Sequence, residues 1–117
     1  MKEREEVTAY CLTFADVYED EPFHDPNWHV IRHKGSNKVF AWIFHKDGNL
    51  WVNVKCDPQW RDLWRQAYQA VVPAFHLNKE HWNSMILDGT IPDRDIRRMI
   101  AESYDLTKPK VKKREEK

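Results

Sequence analysis

The spacing of apolar residues changes period along the chain, and each change marks an element. Val7, Tyr10, Cys11 and Phe14 follow i, i+3, i+4, i+7, which predicts an amphipathic helix over about residues 2–14. Glu3, Glu5 and Glu6 suit its positive N-terminal end. Residues 15–27, acidic and containing Pro22 and Pro26, read as a loop. The period then falls to two. Trp28–Lys34, Lys38–Lys46 and Leu50–Cys56 read as three strands, separated by Gly35-Ser36-Asn37 and by Asp47-Gly48, a strong hairpin signal. In the second strand Val39, Ala41 and Ile43 alternate with Phe40, Trp42 and Phe44. Both sides are apolar, so the strand belongs in the middle of an antiparallel meander.

Helical spacing returns after Asp57-Pro58, where Asp caps and Pro takes the first helical position. Trp60, Leu63, Trp64, Ala67, Tyr68 and Val71 form a wide stripe, predicting a helix laid across the sheet and ended near Pro73. Residues 74–87 hold a short strand or extended turn and then a strand around Trp82–Leu87. Asp88-Gly89 turns the chain, and Pro92 opens a last helix with Ile96, Met99, Ile100 and Tyr104 on its apolar side. The order α-β-β-β-α-β-(β)-α, without repeat or linker, predicts one two-layer α+β domain over residues 1–106: an antiparallel sheet packed by helices. Residues 107–117 are expected to be a charged, mobile tail.

Composition narrows the class. Hydrophobic residues make up 41% of 117 and six are Trp, so the chain can bury a core without staples. The formal net charge is zero, yet it is −6 over residues 1–26, +2 over 27–106 and +4 over 107–117. Any field that matters comes from local faces. Two cysteines, Cys11 and Cys56, read as reduced apolar side chains. With no membrane-length apolar run and no signal-type N-terminus, a cytoplasmic protein is the expectation; the sequence leaves the oligomeric state open, with a monomer favoured.

Three segments resemble the MmcQ/YjbR family of small bacterial proteins. These are Tyr10-Cys11-Leu12 with Tyr18-Glu19-Asp20 and Pro22-Phe23; Asn53-Val54-Lys55-Cys56-Asp57-Pro58; and Pro73 through Asn83 running on to Leu87-Asp88-Gly89. Ser103-Tyr104-Asp105-Leu106 closes the match. The resemblance implies a frataxin-like, secretion-chaperone-like fold and DNA binding through a double-wing arrangement of strand turns. An appended helix-turn-helix is missing from this sequence.

The richest polar cluster is Lys55 with His76, Asn78, Lys79, His81, Trp82 and Asn83. Its cations and amides suit phosphate, and Trp82 suits a base face. The same Asn and His residues equally suit turn bonding and packing. Arg94, Arg97 and Arg98 with Lys108, Lys110, Lys112, Lys113 and Arg114 offer a second basic patch, or a solvated helix face and tail. Cys56 beside a helix N-terminus, with His76 or His81, would be a nucleophile and base. Nothing in the sequence orients that base, and no enzyme is expected. Four metal ligands at a familiar spacing are missing. The frataxin-like resemblance directs attention to Glu3, Glu6, Asp16, Glu19, Asp20 and Glu21 as an iron surface. No cofactor is expected. The leading expectation is a non-enzymatic DNA-binding protein using Gly35–Lys38 and His76–Asn83 as wings. A protein- or small-ligand-binding adaptor, with Trp28, Trp42 and Trp51 exposed, is the alternative, and a metal binder the third.

Overall fold

Turn chemistry sets the sheet. The computed structural model describes residues 1–109. Strands β2 (His29–His33), β3 (Val39–Lys46) and β4 (Asn49–Lys55) form the predicted meander. Lys46 pairs with Asn49, so the β3–β4 loop is the two residues Asp47 and Gly48, both with positive φ (53° and 82°). That is the left-handed double turn whose twist matches a hairpin, and Asp-Gly tolerates it. Strands β1 (Val17–Asp20), β5 (Val71–Pro73) and β6 (Trp82–Leu87) complete a six-stranded antiparallel sheet in the order β1-β2-β3-β4-β6-β5.

Helices α1 (Arg4–Cys11) and α3 (Asp93–Thr107) cover one face of the sheet. Val7 and Cys11 from α1 and Ile96, Met99 and Ile100 from α3 share one buried cluster with Ile31, Ile43, Val52, Val54, Met85 and Leu87. Ser103 on α3 donates to the Phe40 carbonyl and accepts from the Lys55 backbone N–H at 2.8 Å, fixing helix to sheet. The two layers are therefore helices α1 and α3 on one side and the sheet on the other.

The structure departs from the sequence expectations at four places. Residues 17–20 of the supposed acidic loop form edge strand β1, because Tyr18, Glu19 and Asp20 register against Arg32, Ile31 and Val30 and find backbone and ionic partners there. The first helix is shorter than 2–14: Glu3 and Glu6 close a capping box at its start, and Leu12 caps its end. Phe40 does not share a side with Trp42 and Phe44. Ile31 pairs with Ala41 and Arg32 with Val39, so Phe40 is the extra residue of a bulge. It joins Ala41 and Ile43 in the core, while Trp42 and Phe44 face the other way.

The fourth departure is helix α2 (Pro58–Ala67), which buries no residue and does not lie across the sheet. Its half-buried positions are Arg61, Trp64, Arg65 and Tyr68, again spaced i, i+3, i+4, i+7. The helix is turned so that arginines face inward. Arg61 donates to the Glu80 carbonyl at 3.0 Å, and Arg65 donates to Asn83 Oδ1 at 2.7 Å and to the Lys79 carbonyl. Those acceptors lie beside β6, and satisfying them outweighs burying Trp60 and Leu63, which stay 48% and 51% exposed. Val71 leaves the helix for β5, where it pairs with Met85.

Candidate functional site

The sheet face away from α1 and α3 carries the side chains that alternate with the core set. On β4 these are Trp51, Asn53 and Lys55; on β3, Trp42 and Phe44; on β2, Val30 and Arg32; on β6, Trp82 and Ser84. Two loops partly roof this face, residues 21–28 and 74–81. The second is fastened by a buried polar chain. Ser84 donates through Oγ to Asn53 Oδ1, Asn53 Nδ2 donates to the Phe75 carbonyl at 2.8 Å, and the Phe75 N–H donates to Ser84 Oγ at 2.9 Å.

Between the loops lies a cavity of about 280 Å³, bounded by Phe23, Trp28, Trp42 and Phe75, with His76 and Leu77 beside them. That volume falls just below the usual range of ligand pockets, roughly 300–1,000 Å³. Fully buried Asn53 forms the floor, and exposed Phe23 and His76 form the rim. Trp28 stacks on Phe44 at 4.2 Å between centroids, which fixes one wall. Phe23 faces Trp42 at 6.3 Å with 23° between the rings. His76 holds φ at +66°, a left-handed conformation unusual for a side-chain-bearing residue.

Trp42 and Leu77 also line a second depression, at the end of the sheet where β2 and β4 finish and β3 and β6 begin. Arg32, Lys38, Lys55 and Trp82 line it too, and Leu106 and Thr107 at the end of α3 close it. Among the described residues no carboxylate lines this groove. Arg32 is bound to Asp20 at 2.9 Å, and it donates to the Asn37 carbonyl at 2.9 Å, so it is oriented rather than free. Lys38 and Lys55 have no ion-pair partner among the described residues. Trp42 Nε1 is buried without a hydrogen-bond partner among the described residues.

The polar cluster read from the sequence is divided by this geometry. Lys55 and Trp82 register opposite each other and line the groove, and His76 lines the cavity. The others hold the turn. Asn78 Oδ1 accepts from the Glu80 and His81 N–H groups, at 2.8 and 3.3 Å. Lys79 Nζ donates to the Ala74 carbonyl at 2.9 Å. Asn83 is buried between Arg65 and the Arg61 carbonyl. His81 is exposed, and its carbonyl accepts from the Cys56 N–H at 2.8 Å. Arg94, Arg97 and Arg98 are exposed on the first turns of α3, over the opposite sheet face, and do not reach the groove. Lys110, Lys112, Lys113 and Arg114 lie outside the described residues. Arg32 and Asn53 were not singled out as site residues from the sequence, although Asn53 sits two residues before Lys55 on the same alternating strand.

The chemistry of the remaining candidates points elsewhere. Burial pushes the Cys56 thiol up to about 11, against the lowering expected from the helix N-terminus, and the Cys11 thiol up to about 12. Neither is a thiolate at neutral pH. Glu3 and Glu6 cap α1, Asp20 binds Arg32, and Glu19 lies 2.6 Å from His29 Nδ1. Among the described residues, no three His, Cys, Asp or Glu side chains gather as a metal site.

Fold and site together define a two-layer α+β protein with an aromatic cavity and a basic groove on the open face of its sheet. The YjbR family model matches residues 12–106, and the chain belongs to that family. It is 31% identical over 99 residues to uncharacterized protein YjbR of Escherichia coli K12, covering 85% of this chain and 81% of that one. It is 29% identical over 119 residues to uncharacterized protein YyaQ of Bacillus subtilis, covering 92% of this chain and all (100%) of that one. A crystal structure from Deinococcus radiodurans carrying the domain DUF419 is similar with a TM-score of 0.84 at 28% identity, covering 97% of this chain and 84% of that chain. A Pseudomonas syringae crystal structure is similar with a TM-score of 0.80 at 26% identity, covering 91% and 99%. Among the described residues no helix is long and apolar enough to cross a membrane.

Proposed function

We propose that the protein is a non-enzymatic DNA-binding protein whose contact surface is the open sheet face. The observation that carries this reading is the convergence of Arg32, Lys38 and Lys55 in one groove with Trp42 and Trp82 and without a carboxylate among the described residues. Cations fix phosphates, and an indole offers a face on which a base stacks. Lys38 comes from the Gly35–Lys38 turn, so one of the two expected wings contributes directly. The His76–Asn83 wing contributes His76, Leu77 and Trp82, while Asn78, Lys79 and Asn83 build its scaffold.

Fluorescence anisotropy with labelled single- and double-stranded DNA, at low and near-physiological salt, tests the reading. Binding that saturates and weakens several-fold in Lys55→Ala supports it. Binding unchanged by Lys38→Ala and Lys55→Ala together removes the groove from the reading.

The adaptor reading keeps one observation of its own. Trp60, Leu63 and Leu106 are exposed apolar side chains, and Trp60 and Leu106 flank a depression between α2 and α3. A partner whose capture is lost in Trp60→Glu but kept in Lys55→Ala would assign the protein to that class. The aromatic trio expected for this reading is less open than foreseen. Trp28 and Trp42 are half-buried in the cavity wall, and Trp51 is half-buried with its indole N–H donating to the Lys46 carbonyl at 3.0 Å.

A further inference from the structure

Resting on the nucleic-acid reading, we infer that the aromatic cavity receives an unpaired base, so that the protein binds single strands in preference to duplex. The cavity and the groove share Trp42 and Leu77 and form a continuous surface. One part is walled by aromatic rings and the other by cations, which is the division within a nucleotide between base and phosphate. The strands set the spacing. Arg32 follows Val30 by one pleat repeat, and Lys55 follows Asn53 by one, about 7 Å along each strand. Val30, Trp42 and Asn53 lie in one row across β2, β3 and β4. The phosphate of a base seated over that row therefore faces the cations.

Phe23 and Trp42 supply the receiving surfaces. Their rings are near-parallel, with centroids 6.3 Å apart. A base held between two rings at the ~3.4 Å rise of a stacked strand needs about 6.8 Å. Phe23 lies on the exposed 21–28 loop and is itself 52% exposed, so it can swing outward to open the slot to that spacing. Trp42 sits on the central strand, and its buried Nε1–H has no hydrogen-bond partner among the described residues. A small turn of the indole offers that donor to a base carbonyl or a phosphate oxygen, which meets a hydrogen bond otherwise lost on burial. A paired base inside a duplex presents neither face to such a slot. A cavity of about 280 Å³ takes one ring system and leaves the rest of the strand in the groove.

The test compares three labelled probes of equal phosphate number: a short oligothymidylate, the same strand carrying abasic sites, and a duplex of half its length. The wild-type protein is expected to bind oligothymidylate about tenfold more tightly than the abasic strand or the duplex, from one stacked base. Phe23→Ala should erase that difference, and Phe23→Tyr should restore it. Phe23 is exposed enough that neither change threatens folding, which circular dichroism melts verify. Equal affinity for the three probes, unaffected by Phe23→Ala but weakened by Lys55→Ala, overturns the inference and leaves the DNA reading in place. Binding of none of the three overturns both. Thymidine monophosphate competing as well as the oligonucleotide also overturns it, by making a free nucleotide the occupant.

Discussion

Asn53 and Ser84 do more for the site than any residue that touches its opening. Both are fully buried in the sheet, on neighbouring strands, and bond to each other and to both backbone polar groups of Phe75. An antiparallel sheet with an open face has little use for two buried polar side chains unless they fix something above it. Here they fix the loop that carries Phe75, His76 and Leu77. Ser84→Ala leaves the Phe75 N–H and one Asn53 lone pair unmet. It should lower unfolding free energy by about 1–3 kcal/mol in urea titrations. It should also speed hydrogen exchange at Phe75 before the sheet as a whole opens. Exchange at Phe75 unchanged in that variant would show that the loop is held by its aromatic contacts instead. His33 makes a second residue-scale prediction. Burial holds its imidazole below the usual pKa, with Nε2 2.8 Å from Thr107 Oγ1. Between the unfolded value near 6.5 and the lower folded one, the unfolded chain binds the extra proton. Stability is then fully present above about pH 6.5 and falls as the pH drops below it. Melting temperatures at pH 7.5 and 5.5 should therefore differ, and His33→Gln should narrow the gap.

At the scale of elements, what was legible in the sequence and what was not divides on one physical ground. Periodicity and turn chemistry are local, and they located β2, β3, β4, β6 and the start of α2 and α3 to within about two residues. The expected order lacked β1, since Val17-Tyr18-Glu19-Asp20 is too short and acidic to show alternation, and its pairing with β2 comes from outside the segment. The bulge at Phe40 was equally hidden. Strict alternation put Phe40 with Trp42, whereas the extra residue is needed so that β3 follows β2 and still buries Phe40 beside Phe14 and Tyr104. The candidate site was half legible for the same reason. Lys55, His76 and Trp82 were found as polar or aromatic residues near turns, but which neighbours hold the turn and which face outward depends on tertiary partners. The rotation of α2 shows this most sharply, because the apolar stripe that helical spacing picks out is not the one turned inward: Arg61 and Arg65 join Trp64 and Tyr68 there. Trp60→Glu and Leu63→Glu should consequently change stability by no more than about 0.5 kcal/mol, the range of open surface positions. Ile100→Ala, in the α3 stripe that does pack on the sheet, should cost about 2–5 kcal/mol. Thermal or urea melts of the three variants separate these expectations, and a large loss in Trp60→Glu would mean that α2 lies across the core after all.

For the whole molecule, the proposed DNA-binding role raises the question of how a chain with no net charge would attract a polyanion. The answer lies in segregation. Carboxylates concentrate in the first 26 residues, around α1, β1 and the loop after it, where several are used up in capping and ion pairs. The groove gathers Lys38 and Lys55, with the Asp20-bound Arg32 beside them, at neighbouring strand ends, and the arginines of α3 stand over the other face. A strand in the groove therefore meets a local field unlike the molecular average. Counterion release turns this into a number. Two phosphates neutralised on a single strand by Lys38 and Lys55 give a slope of about −1.4 in log affinity against log salt, at roughly −0.7 for each. Lys38→Ala and Lys55→Ala should each reduce the steepness by about 0.7. Arg94→Ala and Arg98→Ala should leave it unchanged, since those guanidinium groups lie off the path. Anisotropy titrations at four or five salt concentrations measure all of this. A slope that flattens in the α3 variants and holds in the lysine variants would move the binding surface to the helical face, and the aromatic cavity would then have no strand beside it to supply a base.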